Sequence, residues 1–270
     1  MGENAGRTPL IAMRGIKKRF GAVQALKGVD LDLYPGEVLG LVGDNSAGKS
    51  TLMKILTGAY RADAGTIHFD GRQVEIHTPH DSRRLGIEMI YQDFALCGNL
   101  DVASNIYLGR WPAPRAFIQR RRMEKAAEEM LARMRVSLPS VRMRVEGLSG
   151  GRQQAVAIAR ALAFDPQVLI MDEPTANLSP NAAARLLELI ADLREQGVSI
   201  IIISHRMQEI FEAGDRVAVL RQGEMVGSLP LAGATEEDVL SLIIAGRLSN
   251  GDRAPEEGEA PGSADSTEKM

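Results

Sequence analysis

Val38-Leu39-Gly40-Leu41-Val42 runs without polar alternation into Gly43-Asp44-Asn45-Ser46-Ala47-Gly48-Lys49-Ser50-Thr51. A stretch with no polar face is the pattern of a strand covered on both sides, as strands of parallel sheets are. After the loop, Ser50 to Thr57 continues as a helix with Leu52, Ile55 and Leu56 on one face. Buried strand, glycine loop and helix, in that order, commit the chain to an α/β fold built on a parallel sheet. Two further apolar runs extend it, Val168-Leu169-Ile170-Met171 and Ile200 to Ile203. Between them Ala183, Leu186, Leu187, Ile190 and Leu193 mark one face of a helix, which gives the doubly wound alternation of strand and helix.

The flanking segments differ in texture. Residues 9–40 alternate short apolar stretches with turns, as in Val29-Asp30-Leu31-Asp32-Leu33 before Tyr34-Pro35-Gly36, which predicts half-buried antiparallel strands. Residues 65–77 read as a hairpin turning at Asp70-Gly71. From about 94 to 162 the chain is helical and charged, and Arg120-Arg121-Arg122 opens a helix to about Arg135 as a solvated start. Residues 249–270 are polar, acidic and rich in proline and glycine, and are expected to form a disordered tail.

A chain of 270 residues with 44% hydrophobic content can bury one substantial core, split into two lobes at most. Its formal net charge of -3 gives no global attraction to a nucleic acid, and none is expected as a partner. One cysteine, Cys97, excludes an intrachain disulfide and a cysteine-based metal site, and reads as a small, partly buried apolar side chain. His68, His77, His80 and His205 lack metal-motif spacing. The first ten residues hold no apolar signal region, and no apolar run approaches the ~20 residues of a membrane span. A cytoplasmic chain is expected, peripheral to the inner face of the cell membrane through a partner.

The loop at 43–51 suits a triphosphate. Its backbone N–H groups, at the positive end of the next helix, would wrap the phosphates. Lys49 would reach the β- and γ-phosphates, and the Ser50 hydroxyl would ligate Mg²⁺. Asp172-Glu173 ends the apolar run Val168 to Met171, at the strand edge where open α/β sheets bind ligands. There Asp172 would hold Mg²⁺ through water, and Glu173 would act on the attacking water as general base. Ile200 to Ile203 deliver Ser204-His205 to the same edge, where His205 would touch the γ-phosphate or hold the attacking water. Leu148-Ser149-Gly150-Gly151-Arg152-Gln153-Gln154 precedes a helical run from Ala155 to Ala163. Ser149 reads as its N-cap, and Gly150-Gly151 leaves backbone N–H groups open to an anion.

Together these motifs resemble the ATP-binding subunits of ABC transporters over residues 10–248. The loop at 43–51 matches the Walker A motif, LSGGRQQ at 148–154 the signature, and VLIMDEP at 168–174 Walker B with its adjacent glutamate. Gln92 in YQDFAL takes the Q-loop position, His205 the switch-histidine position, and Phe20 in KRFGAVQAL the aromatic position that stacks on adenine. The resemblance implies a P-loop NTPase (RecA-like) core with an N-terminal antiparallel β subdomain. It also implies an inserted helical subdomain at about 94–162 within a cassette over 9–248. It implies ATP and Mg²⁺ bound by Phe20, Gly43, Asp44, Asn45, Ser46, Ala47, Gly48, Lys49, Ser50 and Thr51. Metal contacts would come from Ser50, Gln92 and Asp172, and catalysis from Glu173, His205, Gln92 and Lys49. Two cassettes, in a homodimer, would pack head to tail, each ATP lying between one Walker A and the other chain's Ser149, Gly150 and Gly151. Their closure would drive membrane-spanning permease subunits docked near Gln92 and the helical lobe.

Four departures stand out: Ser46 for a frequent glycine, Arg152-Gln153 for the usual glutamine and basic residue, Asn177 for a small D-loop residue, and no regulatory domain beyond about residue 248. The segment from Ile76 to Arg110 is similar to the simple-sugar importers of the ribose, xylose and fructose type, which implies a monosaccharide cargo and a periplasmic or extracellular substrate-binding protein. Two alternatives stay open at this stage: a cassette for another cargo such as branched-chain amino acids, and a soluble ABC ATPase acting on ribosomes or DNA. A catalytically weak regulatory half of an asymmetric pair is discounted, because Lys49, Ser149, Asp172, Glu173 and His205 are all in place.

Overall fold

The computed structural model describes residues 6–91, 93–109, 119–176 and 178–246, so Gln92, Asn177 and the tail expected at 249–270 lie outside the described residues. The two sheets follow from the two sequence patterns. The alternating N-terminal segment gives β1 (Ile11–Phe20) and β2 (Val23–Leu33), which pair antiparallel. With β4 (Ala64–Phe69) and β5 (Arg72–Val74) they form a four-stranded sheet in the order β2-β1-β4-β5. The β4–β5 hairpin turns on Asp70 and Gly71, both left-handed at φ 48° and 73°, as the Asp-Gly pair predicts.

The non-alternating runs give β3 (Val38–Val42), β7 (Val168–Asp172) and β8 (Ser199–Ile203), adjacent and parallel in the second sheet. That sheet has the order β10-β9-β3-β8-β7-β6, with β6 at Ile87–Ile90, β9 at Arg216–Arg221 and β10 at Glu224–Pro230. Only β10 runs antiparallel to its neighbour. Its central strands alternate between two cores. Val38, Val42, Leu169, Met171, Ile200, Ile202, Val217 and Val219 face one, while Leu39, Leu41, Val168, Ile170, Ile201, Ile203, Ala218 and Leu220 face the other. Covering both faces is what removes the polar alternation from the sequence.

The second core is closed by helix α1 (Lys49–Leu56) and by the antiparallel sheet, through Ile11, Met13, Ile16, Leu26 and Leu33. A short α2 at Pro79–Arg84 precedes β6, and the first core is closed from the segment between β6 and β7, which carries α3 (Val102–Ile106), α4 (Arg120–Arg133) and α5 (Gly150–Leu162). Helices α6 (Pro180–Glu195), α7 (Met207–Ala213) and α8 (Glu236–Ala245) add Leu186, Ile190, Leu193, Ile210, Val239 and Leu242. The helical insertion therefore shares a core with the sheet: Ile106, Ala127 and Leu131 belong to the same buried cluster as Val38 and Met171.

Candidate functional site

Three adjacent parallel strands, β3, β8 and β7, end at one edge of the sheet, and each opens there into a loop that carries chemistry. β3 releases the glycine loop. Gly43 and Gly48 both take positive φ, 142° and 103°. A Cβ at Gly43 would run into the Leu220 carbonyl oxygen, and one at Gly48 would lie 2.7 Å from the carbonyl oxygen of Ala25. Positive φ and a carbonyl oxygen in the place of any Cβ thus dictate glycine at these two positions. Ser46 is exposed and its φ is not positive, so the strain that a left-handed serine would carry does not arise.

Lys49 opens α1, which puts its ammonium at the loop's centre. Its Nζ donates to the carbonyl oxygens of Gly43 at 2.6 Å and Asp44 at 2.9 Å. Burial pushes this ammonium below its ordinary pKa, against the opposing pull of the Glu173, Asp172 and Asp44 carboxylates. Ser50 Oγ donates to Asp172 Oδ2 at 3.2 Å, joining the first turn of α1 to the end of β7. Burial raises the Asp172 carboxyl, opposed by the Ser50 hydrogen bond and by Lys49 and Lys54. A half-buried carboxylate beside a hydroxyl offers hard oxygen ligands that a divalent cation would suit, since the ion would relieve the buried charge.

Glu173 follows Asp172 in a left-handed conformation, φ 51°, which is uncommon for a residue with a Cβ. Its N–H donates to the Ile203 carbonyl oxygen at 2.8 Å, and its Oε2 accepts from His205 Nδ1 at 2.7 Å. A carboxylate only accepts, so His205 keeps Nε2 for a further partner. The backbone strain and the cross-strand bond together aim Glu173 back at the loop.

Phe20 closes β1, 42% exposed, its ring edge-on to Tyr60 with centroids 5.3 Å apart. Lys18 Nζ lies 5.5 Å from the Phe20 centroid. An exposed aromatic ring held by a second ring is a stacking surface. Tyr60 escaped the sequence reading, although an aromatic residue shortly after the loop helix was the available signal.

Lys49, Ser50, Asp172, Glu173 and His205 are thus brought together, whereas Ser149, Gly150 and Gly151 are not. Among the described residues no hydrogen bond or ion pair joins those three to residues 43–51. They open α5 beside the start of α6 instead, where Ser149, Gly151, Arg152, Ser179 and Arg185 line a cavity of about 600 Å³. Ser149 stands at the N-cap as expected, but its side chain makes no capping hydrogen bond. Gln153, noted as a departure, holds the loop from inside: its Nε2 donates to the carbonyl oxygens of Val145 and Leu148, each at 3.2 Å. Gln92 and Asn177 lie outside the described residues.

The chain resembles known proteins in sequence and in overall fold. The sequence profile of the family described as ABC transporter matches residues 26–176, more than half of the chain. The chain is 49% identical over 235 residues to Ribose import ATP-binding protein RbsA 1 of Rubrobacter xylanophilus, covering 87% of this chain and 47% of that protein. It is 46% identical over 243 residues to Ribose import ATP-binding protein RbsA 2 of Escherichia coli O157:H7, covering 90% and 48% respectively. The chain therefore spans about half the length of the curated relatives it matches. Among solved structures, the dimeric post-hydrolysis state of the ATP-binding cassette MJ0796 bound to ADP and Pi superposes with a TM-score of 0.70 at 26% identity, over 82% of this chain and 98% of that one.

Proposed function

We propose a function for a chain that belongs to the ABC transporter family: it binds and hydrolyses ATP to power a membrane importer, with a monosaccharide as cargo. The observation that carries the ATPase reading is the meeting of Lys49, Ser50, Asp172, Glu173 and His205 at the ends of three neighbouring strands. In this reading the loop N–H groups and Lys49 bind the phosphates, and Lys49 exchanges its two loop carbonyls for phosphate oxygens. Ser50 and Asp172 would hold Mg²⁺, which neutralises charge on the β- and γ-phosphates when bound. Glu173 orients the attacking water and accepts its proton, while His205 steadies Glu173 and offers Nε2 to the γ-phosphate side. Phe20 provides the stacking face for the adenine ring.

The signature residues support a two-chain site. Ser149, Gly150 and Gly151 stand apart from the glycine loop of their own chain, so they would serve the nucleotide of a second cassette. No helix among the described residues is long and apolar enough to cross a membrane, which suits a subunit that acts on separate permease subunits and a substrate-binding protein. A place at the cytoplasmic face of the membrane follows from those partners. The sugar cargo rests on the two ribose import proteins, whose names concern chains twice as long.

Glu173→Gln tests the chemistry. The amide preserves shape but accepts no proton, so ATP should bind and hold two chains together on size exclusion while steady-state turnover falls ~10²-fold or more. Unchanged turnover in that variant removes Glu173 from the proposed role.

A further inference from the structure

Glu209, on α7, is a buried carboxylate that no step above employs; the residue is 7% exposed. Thr175 Oγ1 donates to it, at 2.5 Å from Oε1 and 2.6 Å from Oε2. Ser204 Oγ donates to Oε2 at 3.1 Å, and an Arg206 guanidinium N–H to Oε1 at 3.1 Å. Thr175 and Ser204 are each 1% exposed, so their two hydroxyl contacts form away from water, while the Arg206 side chain is partly exposed. Three donors, one of them charged, saturate most of what an ionised carboxylate can accept.

The location of the donors matters more than their number. Thr175 lies two residues after Glu173, in a turn closed by the N–H of Ala176 to the Glu173 carbonyl oxygen at 3.2 Å and that of Leu178 to Thr175 at 3.0 Å. Ser204 lies immediately before His205, and its Oγ also accepts the Arg206 N–H at 3.0 Å. One carboxylate therefore clamps the loop after β7 to the loop after β8. Those are the two loops that hold the Glu173–His205 contact. Stability alone would be served by any pair of elements joined at this depth. Glu173 in addition sits in a left-handed conformation that its surroundings must enforce.

We infer that Glu209 is a positioning residue for hydrolysis: by bridging Thr175 and Ser204 it fixes the separation and aim of Glu173 and His205. The inference rests on the ATPase reading given above. It also ties the turn leading into the start of α6 to the histidine loop, so that displacement of either one disturbs the general base.

Glu209→Gln keeps the shape but replaces one accepting oxygen with an NH₂ donor that faces donors. The expected result is a fall in kcat of ~10- to 100-fold, the size of effect that a misplaced reacting group produces, with the KM for ATP within about threefold of the parent. In a His205→Ala background the same substitution should cost little more, because both act on one geometry. Thr175→Val, which removes one donor at constant shape, should lower kcat several-fold and serves if Glu209→Gln does not fold. Parental kcat in the folded variants overturns the inference, as does a loss that falls on KM instead, or one that multiplies fully with His205→Ala. A parent chain with no ATPase at all would remove the ATPase reading and this inference together. Hydrolysis that survives the Glu209 and Thr175 substitutions removes the inference alone.

Discussion

Ser46 and Gly43 occupy the same loop but answer to different constraints. Ser46 is solvated and its backbone needs no positive φ, so a glycine there gains no relief and only adds freedom to the unbound loop. Gly43 has left-handed backbone with the Leu220 carbonyl where a Cβ would go. Ser46→Gly should leave the Kd for ATP within about twofold, as surface substitutions do. Gly43→Ala should weaken it at least ~10-fold, because either the loop or β9 must move. Isothermal titration with a non-hydrolysed ATP analogue reads both, and a tenfold gain from Ser46→Gly would contradict the loop geometry. The glycine spacing made the loop legible in the sequence, but the conformation of Ser46 was not, because serine is compatible with several backbone states. Glu173 is the sharper case. Its identity and position after a buried strand were readable, yet nothing in a glutamate announces a φ of 51°.

At the scale of elements, legibility followed periodicity. The strands β3, β7 and β8 and the helices α1, α4 and α6 have long or uniform patterns, and they lie close to where the residues predict them. Strand β6 has four residues and includes Glu88, too short for any period to register. The β9–β10 hairpin turns on Gln222-Gly223, both at positive φ (48° and 81°), a weaker turn signature than Asp70-Gly71. Helix starts separate structure from chemistry in a testable way. Thr235 caps α8 with a full capping box: its side chain accepts the N–H of Asp238, whose carboxylate accepts the N–H of Thr235 at 3.0 Å. Ser149 occupies the same place on α5 and caps nothing. Thr235→Ala should therefore cost about 1 kcal/mol. Ser149→Ala should cost only a few tenths of that, while lowering ATPase activity more strongly than Thr235→Ala does. Denaturant unfolding measured alongside turnover checks the pair. A stability loss at Ser149 equal to that at Thr235 would mean that its hydroxyl supports the helix after all.

The whole molecule brings both faces of one sheet under cover and leaves its loop edge to carry the site. Lys49 and Ser149 are set on different elements, α1 on one core and α5 on the other. The family resemblance implied that Ser149 serves a second chain, but no residue pattern by itself encodes that separation, because spatial distance has no local period. If each nucleotide lies between two chains, then defects in Lys49 and Ser149 should complement. Lys49→Ala alone lacks a phosphate cradle in every site, and Ser149→Arg alone blocks every signature contact, so each should be nearly inactive. In a mixed dimer one site collects both defects, while the other pairs the intact loop of the Ser149→Arg chain with the intact signature of the Lys49→Ala chain. Mixing the two purified variants should therefore restore a measurable fraction of parental turnover, with an optimum near equal amounts and a dependence on total concentration. If all residues of a site came from a single chain, every site in the mixture would retain one defect and no ratio would recover activity.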